Sequence, residues 1–293
     1  MRTALLIATL LVLGSCGSTD SPSDGPRVVA TTTMLGDIVE SVVGEAATVE
    51  TLLPIGTDPH DYRPSAQEVA ALVSADLVVA NGLELEEGLN DVLENAADDG
   101  VTVLRIGELV DPIPFSSDPT ELDPHVWLDP LRMADAARLI GDALATLDSS
   151  ADWAARAAGY GAELEAADEE IIEILKAVQN RQLVTSHDSL SYFADRYDFE
   201  VLGVVIPGGS TLADPSSAEL AALAEAITAA DVAAIFAETT EPSALAEAVA
   251  AEVGTSVAVV ELYTGSLGEP GSGADTLIGM LTTNARRIAD ALG

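Results

Sequence analysis

Residues 148–179 contain no proline, and this stretch limits the possible folds more than any other feature of the chain. Within it, Trp153, Ala157, Tyr160, Leu164, Ala167, Ile171, Leu175 and Val178 recur at steps of three or four. That spacing puts them on one face of a helix. At 1.5 Å per residue the helix would be roughly 45 Å long. Gly159 and Gly161 weaken it by about 1 kcal/mol each relative to alanine. The acidic triplet Asp168-Glu169-Glu170 is expected on its solvated face. A helix of that length can cross behind two lobes and join them.

On both sides of it, short apolar runs alternate with helical stretches. Strands are expected at 28–32, 49–53, 77–80 and 101–106, and again at 183–185, 201–206, 232–236 and 257–262. Ser65 with Glu68, and Ser216 with Glu219, read as capping boxes, in which each side chain satisfies an orphan backbone N–H. Asp129-Pro130 reads as an N-cap followed by proline at the first helical position. Strands alternating with helices imply parallel sheets covered by helices. The expected fold class is therefore α/β, with two lobes, each a mostly parallel sheet flanked by helices, joined by one long connecting α-helix. The N-terminal lobe is assigned to 27–147, the connecting helix to 148–179 and the C-terminal lobe to 180–293. With 293 residues, 48% of them hydrophobic, the chain can bury a core in each lobe.

The first residues read differently. Met1-Arg2 gives a positive start, and residues 4–13 are apolar or small. That run is too short for a membrane span and fits a signal peptide. It ends in Leu13-Gly14-Ser15-Cys16, and Cys16 is the single cysteine of the chain. L-G-S-C resembles the lipobox of bacterial lipoproteins, whose cysteine is lipidated and becomes the new N-terminus. An ordinary signal peptide cleaved nearby is the alternative. Residues 1–16 are thus assigned to a lipoprotein signal peptide, and 17–26 (G-S-T-D-S-P-S-D-G-P) to a flexible tether.

Charge removes one class of function. Forty-nine acidic residues stand against 12 basic ones, a net of −37. Such a chain repels nucleic acid, whose binding rests on Lys and Arg neutralising phosphates. Most of this acidity is read as solubility or salt tolerance.

The three histidines are far apart: His60 in G-T-D-P-H-D-Y-R-P-S, His125 in L-D-P-H-V-W-L-D-P, His187 in V-T-S-H-D-S-L-S-Y-F. Each is expected at a strand end or in a loop, where open α/β sheets gather ligands. Two follow Asp-Pro, and proline restricts the residue before it to an extended backbone. Neutral imidazole suits Zn²⁺ and tolerates Mn²⁺. Its second nitrogen can donate to an acceptor that fixes the ring, and Asp58, Asp123 and Asp188 are candidates for that role. Trp127 beside His125 is read as lobe packing, and the glycine-rich 265–273 as a loop before the last helix.

These segments, with I-F-A-E-T-T, resemble the signatures of the zinc/manganese solute-binding proteins of ABC transporters (ZnuA/TroA-like, cluster A-I) in order along nearly the whole chain after the leader. The resemblance implies two α/β lobes with the metal in the cleft. It places His60 and His125 on the N-terminal lobe and His187 on the C-terminal lobe, all three as ligands. It also implies an extracytoplasmic, membrane-anchored protein at the cell surface or in the periplasm. Such a protein delivers the ion to a permease and its ATPase; a monomer is expected. In many members an aspartate supplies a fourth ligand, but the matching position here is Gly265. Glu238, Glu261, Asp275 or water are the candidates to replace it. A set of three nitrogens without that carboxylate favours zinc over manganese, which prefers more oxygen. Two other readings of the histidines stand beside transport. One is a zinc hydrolase with Glu238 as base, although no H-E-x-x-H or G-x-S-x-G motif is present. The other is a surface adhesion lipoprotein in which the metal serves structure only.

Overall fold

The computed structural model describes residues 25–115, 120–254 and 257–293. The signal peptide with Cys16, and the tether up to residue 24, lie outside the described residues. The N-terminal lobe holds strands β1 (Arg27–Ala30), β2 (Thr48–Thr51), β3 (Leu77–Ala80) and β4 (Thr102–Arg105). They interleave with helices α1 (Thr33–Val43), α2 (Ala66–Val73) and α3 (Asn90–Asp98). Next come α4 (Pro130–Leu147) and α5 (Trp153–Leu175). The C-terminal lobe runs β5 (Gln182–Thr185), α6 (Ser191–Tyr197), β6 (Glu200–Val204), α7 (Ser217–Ala230), β7 (Ala234–Glu238), α8 (Ala244–Val253), β8 (Ala258–Leu262) and α9 (Leu277–Leu292).

Both sheets are parallel and share one topology. The first has the order β2-β1-β3-β4 and the second β6-β5-β7-β8. The expected two-lobe α/β architecture is present. Both capping boxes form, and the Asp129 side chain accepts from Leu131 N at the start of α4.

Strand residues divide by parity, as a period of two requires. Val28, Ala30, Leu77 and Val79 enter one buried cluster, whereas Val29, Val78 and Ala80 enter another beneath α2 and α3. In the second sheet Leu183, Ala234 and Phe236 join the first cluster, while Val184, Ile235 and Ala237 pack with α7 and α8. The inner faces of the two sheets therefore share one core. The stripe of α5 runs through it, with Trp153, Leu164, Ile171 and Leu175 almost fully buried. Gly141 of α4 lets α5 approach closely, since a Cβ there would lie 2.7 Å from Ala157 Cβ.

The acidic triplet on α5 is not uniformly solvated. Glu169 and Glu170 are exposed, but Asp168 is buried. It accepts hydrogen bonds from Arg196 and from the Tyr197 hydroxyl, which ties α5 to α6. A buried carboxylate is tolerable because its charge is matched.

Candidate metal centre

The two Asp-Pro-His tripeptides fold alike. The Asp58 carboxylate accepts from His60 N at 3.0 Å, and Asp123 from His125 N at 2.8 Å. Each is an aspartate bonding the amide two residues on, a turn this side chain favours. His60 lies in the loop after β2, and His125 immediately precedes a 3₁₀ turn over Val126–Leu128 that leads into α4. His187 lies two residues beyond β5.

These positions bring the three rings together. His125 Nε2 is 3.0 Å from His187 Nε2 and 3.4 Å from His60 Nε2. One nitrogen from each ring falls within 4.8 Å of the other two, and all three residues are buried. Two nitrogens bound tetrahedrally to one Zn²⁺ at 2.0–2.1 Å would lie about 3.4 Å apart. The spacing thus fits a common centre with little movement.

Carboxylates hold the outer edges of two rings. Asp123 Oδ1 lies 2.7 Å from His125 Nδ1. Glu238 Oε1 lies 2.5 Å from His187 Nδ1 and accepts from Ser189 Oγ at 3.0 Å. The parallel register explains the second contact: Thr185 pairs with Phe236 across β5 and β7, so the residues two further on, His187 and Glu238, emerge side by side. Asp58 and Asp188, the other two candidates, do not take this role in the structure. Asp58 accepts from Thr211 Oγ1 of the opposite lobe at 2.5 Å, and Asp188 accepts from Ser191 Oγ. His60 Nδ1 has no hydrogen-bond partner; its nearest carboxylate oxygen, on Glu87, is 3.9 Å away.

The candidates for a fourth ligand separate cleanly. Glu261 and Asp275 are exposed. Glu238 is buried against the trio, but on the Nδ1 side of His187. Among the described residues, no carboxylate joins the three nitrogens within 4.8 Å. Gly265 lies beside the trio's loops, where a Cβ would sit 2.9 Å from Thr240 Oγ1 and 3.4 Å from Pro59 Cδ.

Burial sets the protonation of the rings. His60 is pushed from 6.5 down to about 2, first by desolvation and then by charge on His125 and His187. His187 is also desolvated, but the Glu238 carboxylate more than offsets this, and its pKa is raised. Glu238 itself is held at about 2: burial pushes it up, and the charge of the adjacent His187 ring outweighs that.

Several residues with no sequence signal of their own position the trio. Asn81 Nδ2 donates to Pro124 O at 2.9 Å, anchoring the His125 loop to the end of β3. Buried Glu86 accepts from Thr31 Oγ1, Asn81 N and Gly82 N, holding the turn that follows. From the C-terminal lobe, the Tyr192 hydroxyl donates to Asp123 O at 2.7 Å and accepts from Ile113 N at 3.1 Å. Trp127, read as lobe packing, also donates across the seam to Thr264 O at 2.7 Å.

Two α/β lobes on a shared helical spine, with three buried histidines converging between them, are the architecture of a solute-binding protein. The sequence profile of the ZnuA family, zinc-uptake complex component A periplasmic, matches residues 28–291, and the chain belongs to this family. It is 29% identical to the manganese-binding lipoprotein MntA of Halalkalibacterium halodurans, over 98% of this chain and 97% of that protein. It is 31% identical to the zinc-binding protein TroA of Treponema pallidum, over 94% of this chain and 92% of that protein. The solved structure of the periplasmic zinc binding protein TroA from Treponema pallidum aligns with a TM-score of 0.85 at 29% identity, covering 92% of this chain and 99% of that one. A Mn-bound periplasmic metal-binding protein from Candidatus Liberibacter asiaticus aligns with a TM-score of 0.81 at 26% identity, covering 92% of this chain and 100% of that one.

Proposed function

We propose that this protein captures a divalent transition metal, with zinc preferred over manganese, between its lobes and delivers it to an ABC import permease driven by its ATPase. The ligands are His60, His125 and His187. The observation that carries this reading is the convergence of three buried imidazole nitrogens within 4.8 Å from residues about sixty positions apart in sequence. Family membership supplies the transport role.

Relatives named for zinc and for manganese both match the chain, so relatedness alone does not choose the ion. The donor set supports zinc: among the described residues, three imidazoles with no carboxylate beside them, and glycine at position 265, suit its nitrogen preference. Glu238, the base a hydrolase would need, lies against His187 Nδ1, where it orients the ring and supports its ligand nitrogen.

The proposal assigns 1–16 to the leader, 17–26 to the tether, 27–147 and 180–293 to the lobes and 148–179 to the link between them. Cys16 carries the lipid that anchors the protein outside the cytoplasm. Among the described residues no helix is long and apolar enough to cross a membrane. Relatives named manganese-binding lipoprotein and zinc-binding lipoprotein match the chain, which supports this anchoring.

Calorimetry on the soluble domain tests the site. One Zn²⁺ is expected per chain, bound more tightly than Mn²⁺, with severe loss in each of His60→Ala, His125→Ala and His187→Ala. Unchanged affinity in all three variants would remove the reading.

A further inference from the structure

A cavity of about 700 Å³ opens beside the trio, at the seam between the lobes. Its wall includes Glu84, Glu87, Glu108 and Glu121 from the N-terminal lobe and Ser210 from the C-terminal lobe, with His60 at its inner end. Among the described residues, no lysine or arginine lines it. The four glutamates are exposed to solvent. Ser210 Oγ donates to Glu87 Oε1 at 2.9 Å, which closes the cavity across the two lobes.

Acidic side chains on a chain of this charge would not by themselves mark a site. The feature that does so is His60. The residue is only 4% exposed, its Nδ1 has no hydrogen-bond partner, and that atom faces the Glu87 carboxylate 3.9 Å away. A buried polar atom without a partner costs free energy and calls for an explanation. Its other ring nitrogen, Nε2, faces His125. One imidazole therefore separates the carboxylate-lined cavity from the three-nitrogen centre.

We propose that this cavity is the access route of the cation. In it, the charges of Glu84, Glu87, Glu108 and Glu121 steer a hydrated divalent ion inward to His60 and the trio. The chemistry suits that order. Carboxylates bind hydrated, hard cations without stripping their water, whereas imidazole binds zinc after partial dehydration. A cleft lined by one sign of charge, with low-dielectric walls, focuses the field and raises association rates by about 10 to 10³. The inference rests on the trio being the metal site, and it adds a path and a kinetic role for residues outside that site.

Stopped-flow association of Zn²⁺ with the whole soluble domain tests it, using a variant with Glu84→Gln, Glu87→Gln, Glu108→Gln and Glu121→Gln. Glutamine keeps an acceptor for Ser210, so the closure of the cavity is retained. A control removes the same charge from the α7–α8 face, with Glu225→Gln, Asp231→Asn, Glu247→Gln and Glu252→Gln, all exposed. The cavity variant is expected to associate about tenfold more slowly at low ionic strength, with a shallower salt dependence and an off-rate within about twofold of the parent. The control is expected to change by less than about twofold. Equal slowing in both variants would mean that net charge alone steers the ion and would overturn the proposal. An unaltered association rate in the cavity variant would overturn it too. A parent protein that failed to bind zinc would instead overturn the metal-site reading on which it stands.

Discussion

Glu238 at the end of β7 and His187 just past β5 form a buried pair, with Oε1 2.5 Å from Nδ1 and both side chains 3% exposed. The pair sets the orientation of the His187 ring and its affinity for protons. Burial alone would lower the His187 pKa, but the carboxylate overcomes it and the net shift is upward. A ligand ring must be neutral at the nitrogen it offers, so metal competes with a proton at His187 at every pH below its folded value. His60, held at about 2, meets no such competition near neutrality. Zinc affinity is therefore expected to rise with pH below the folded His187 value, approaching about tenfold per pH unit with about one proton released per ion, and to flatten above that value. Calorimetry in buffers of different ionisation enthalpy counts those protons. In Glu238→Gln the proton competition should move to lower pH, while affinity at alkaline pH drops about 10- to 100-fold from lost orientation. A flat profile below about pH 6.5 without proton release would contradict the assignment.

The same shifts act on the metal-free fold, in opposite directions. His60 has a depressed folded pKa, so its contribution to stability is full above 6.5 and is lost as pH falls toward about 2. His187 has a raised one, so its contribution is full below 6.5 and is lost as pH climbs through the folded value. Metal-free melts should show His60→Gln flattening the acid limb and His187→Gln flattening the alkaline one. The reverse pattern would sink this account.

Position 265 offers a test of ion choice. A Cβ there would press on Thr240 Oγ1 at 2.9 Å, a buried oxygen with no hydrogen-bond partner. Gly265→Asp alone is expected to cost about 1–3 kcal/mol through crowding. Combined with Thr240→Ala, the new carboxylate has room. It should then favour manganese, raising the Mn²⁺/Zn²⁺ affinity ratio by about tenfold or more, because manganese gains more from oxygen donors. Competitive titration reads that ratio, and an unaltered ratio would show that the side chain does not reach the ion.

Tyr192 couples the lobes at the His125 loop, bonding Asp123 O and Ile113 N. Tyr192→Phe removes both bonds without opening a cavity. It should cost about 1–3 kcal/mol, most of it from polar groups left unpaired. Zinc affinity should fall modestly, by about 3- to 10-fold, since Asp123 keeps its grip on His125 but its own backbone loosens. Denaturant melts and zinc titration together check both numbers; a loss of stability with no change in affinity would make Tyr192 structural only.

The parts legible in the sequence were those written in local chemistry. The capping boxes, the Asp129-Pro130 start and the helical stripe depend on residues within one or two turns of each other and formed, although the helix expected over 148–179 spans only Trp153–Leu175, with Val178 buried just beyond its end. The Asp-Pro-His tripeptides likewise carry their own turn. What the sequence did not show depends on register between distant strands. Glu238 was a candidate fourth ligand because its neighbour across β5 could not be known without the Thr185–Phe236 pairing. Sequence proximity suggests Asp58 and Asp188 as ring partners, yet their oxygens meet Thr211 and Ser191 in the structure. Asp168 looked solvated in its triplet because its cation, Arg196, lies 28 residues away on another helix.

The α5 stripe makes a last claim that can be measured. Because Leu164 packs in a core containing Leu77 of one sheet and Phe236 of the other, neither lobe can lose its inner face without exposing the spine. Leu164→Ala should therefore cost about 2–5 kcal/mol and lower one shared unfolding transition by roughly 2–4 °C per kcal/mol. Val249→Ala, in the separate cluster beneath α7 and α8, deletes apolar atoms that touch only the C-terminal sheet. Its effect should still appear in the same transition, since the lobes melt as one unit when they share a core. Calorimetry resolves the question: two transitions, with Leu164→Ala shifting only one, would mean that the lobes are independent and that the helix between them is a linker and not a spine.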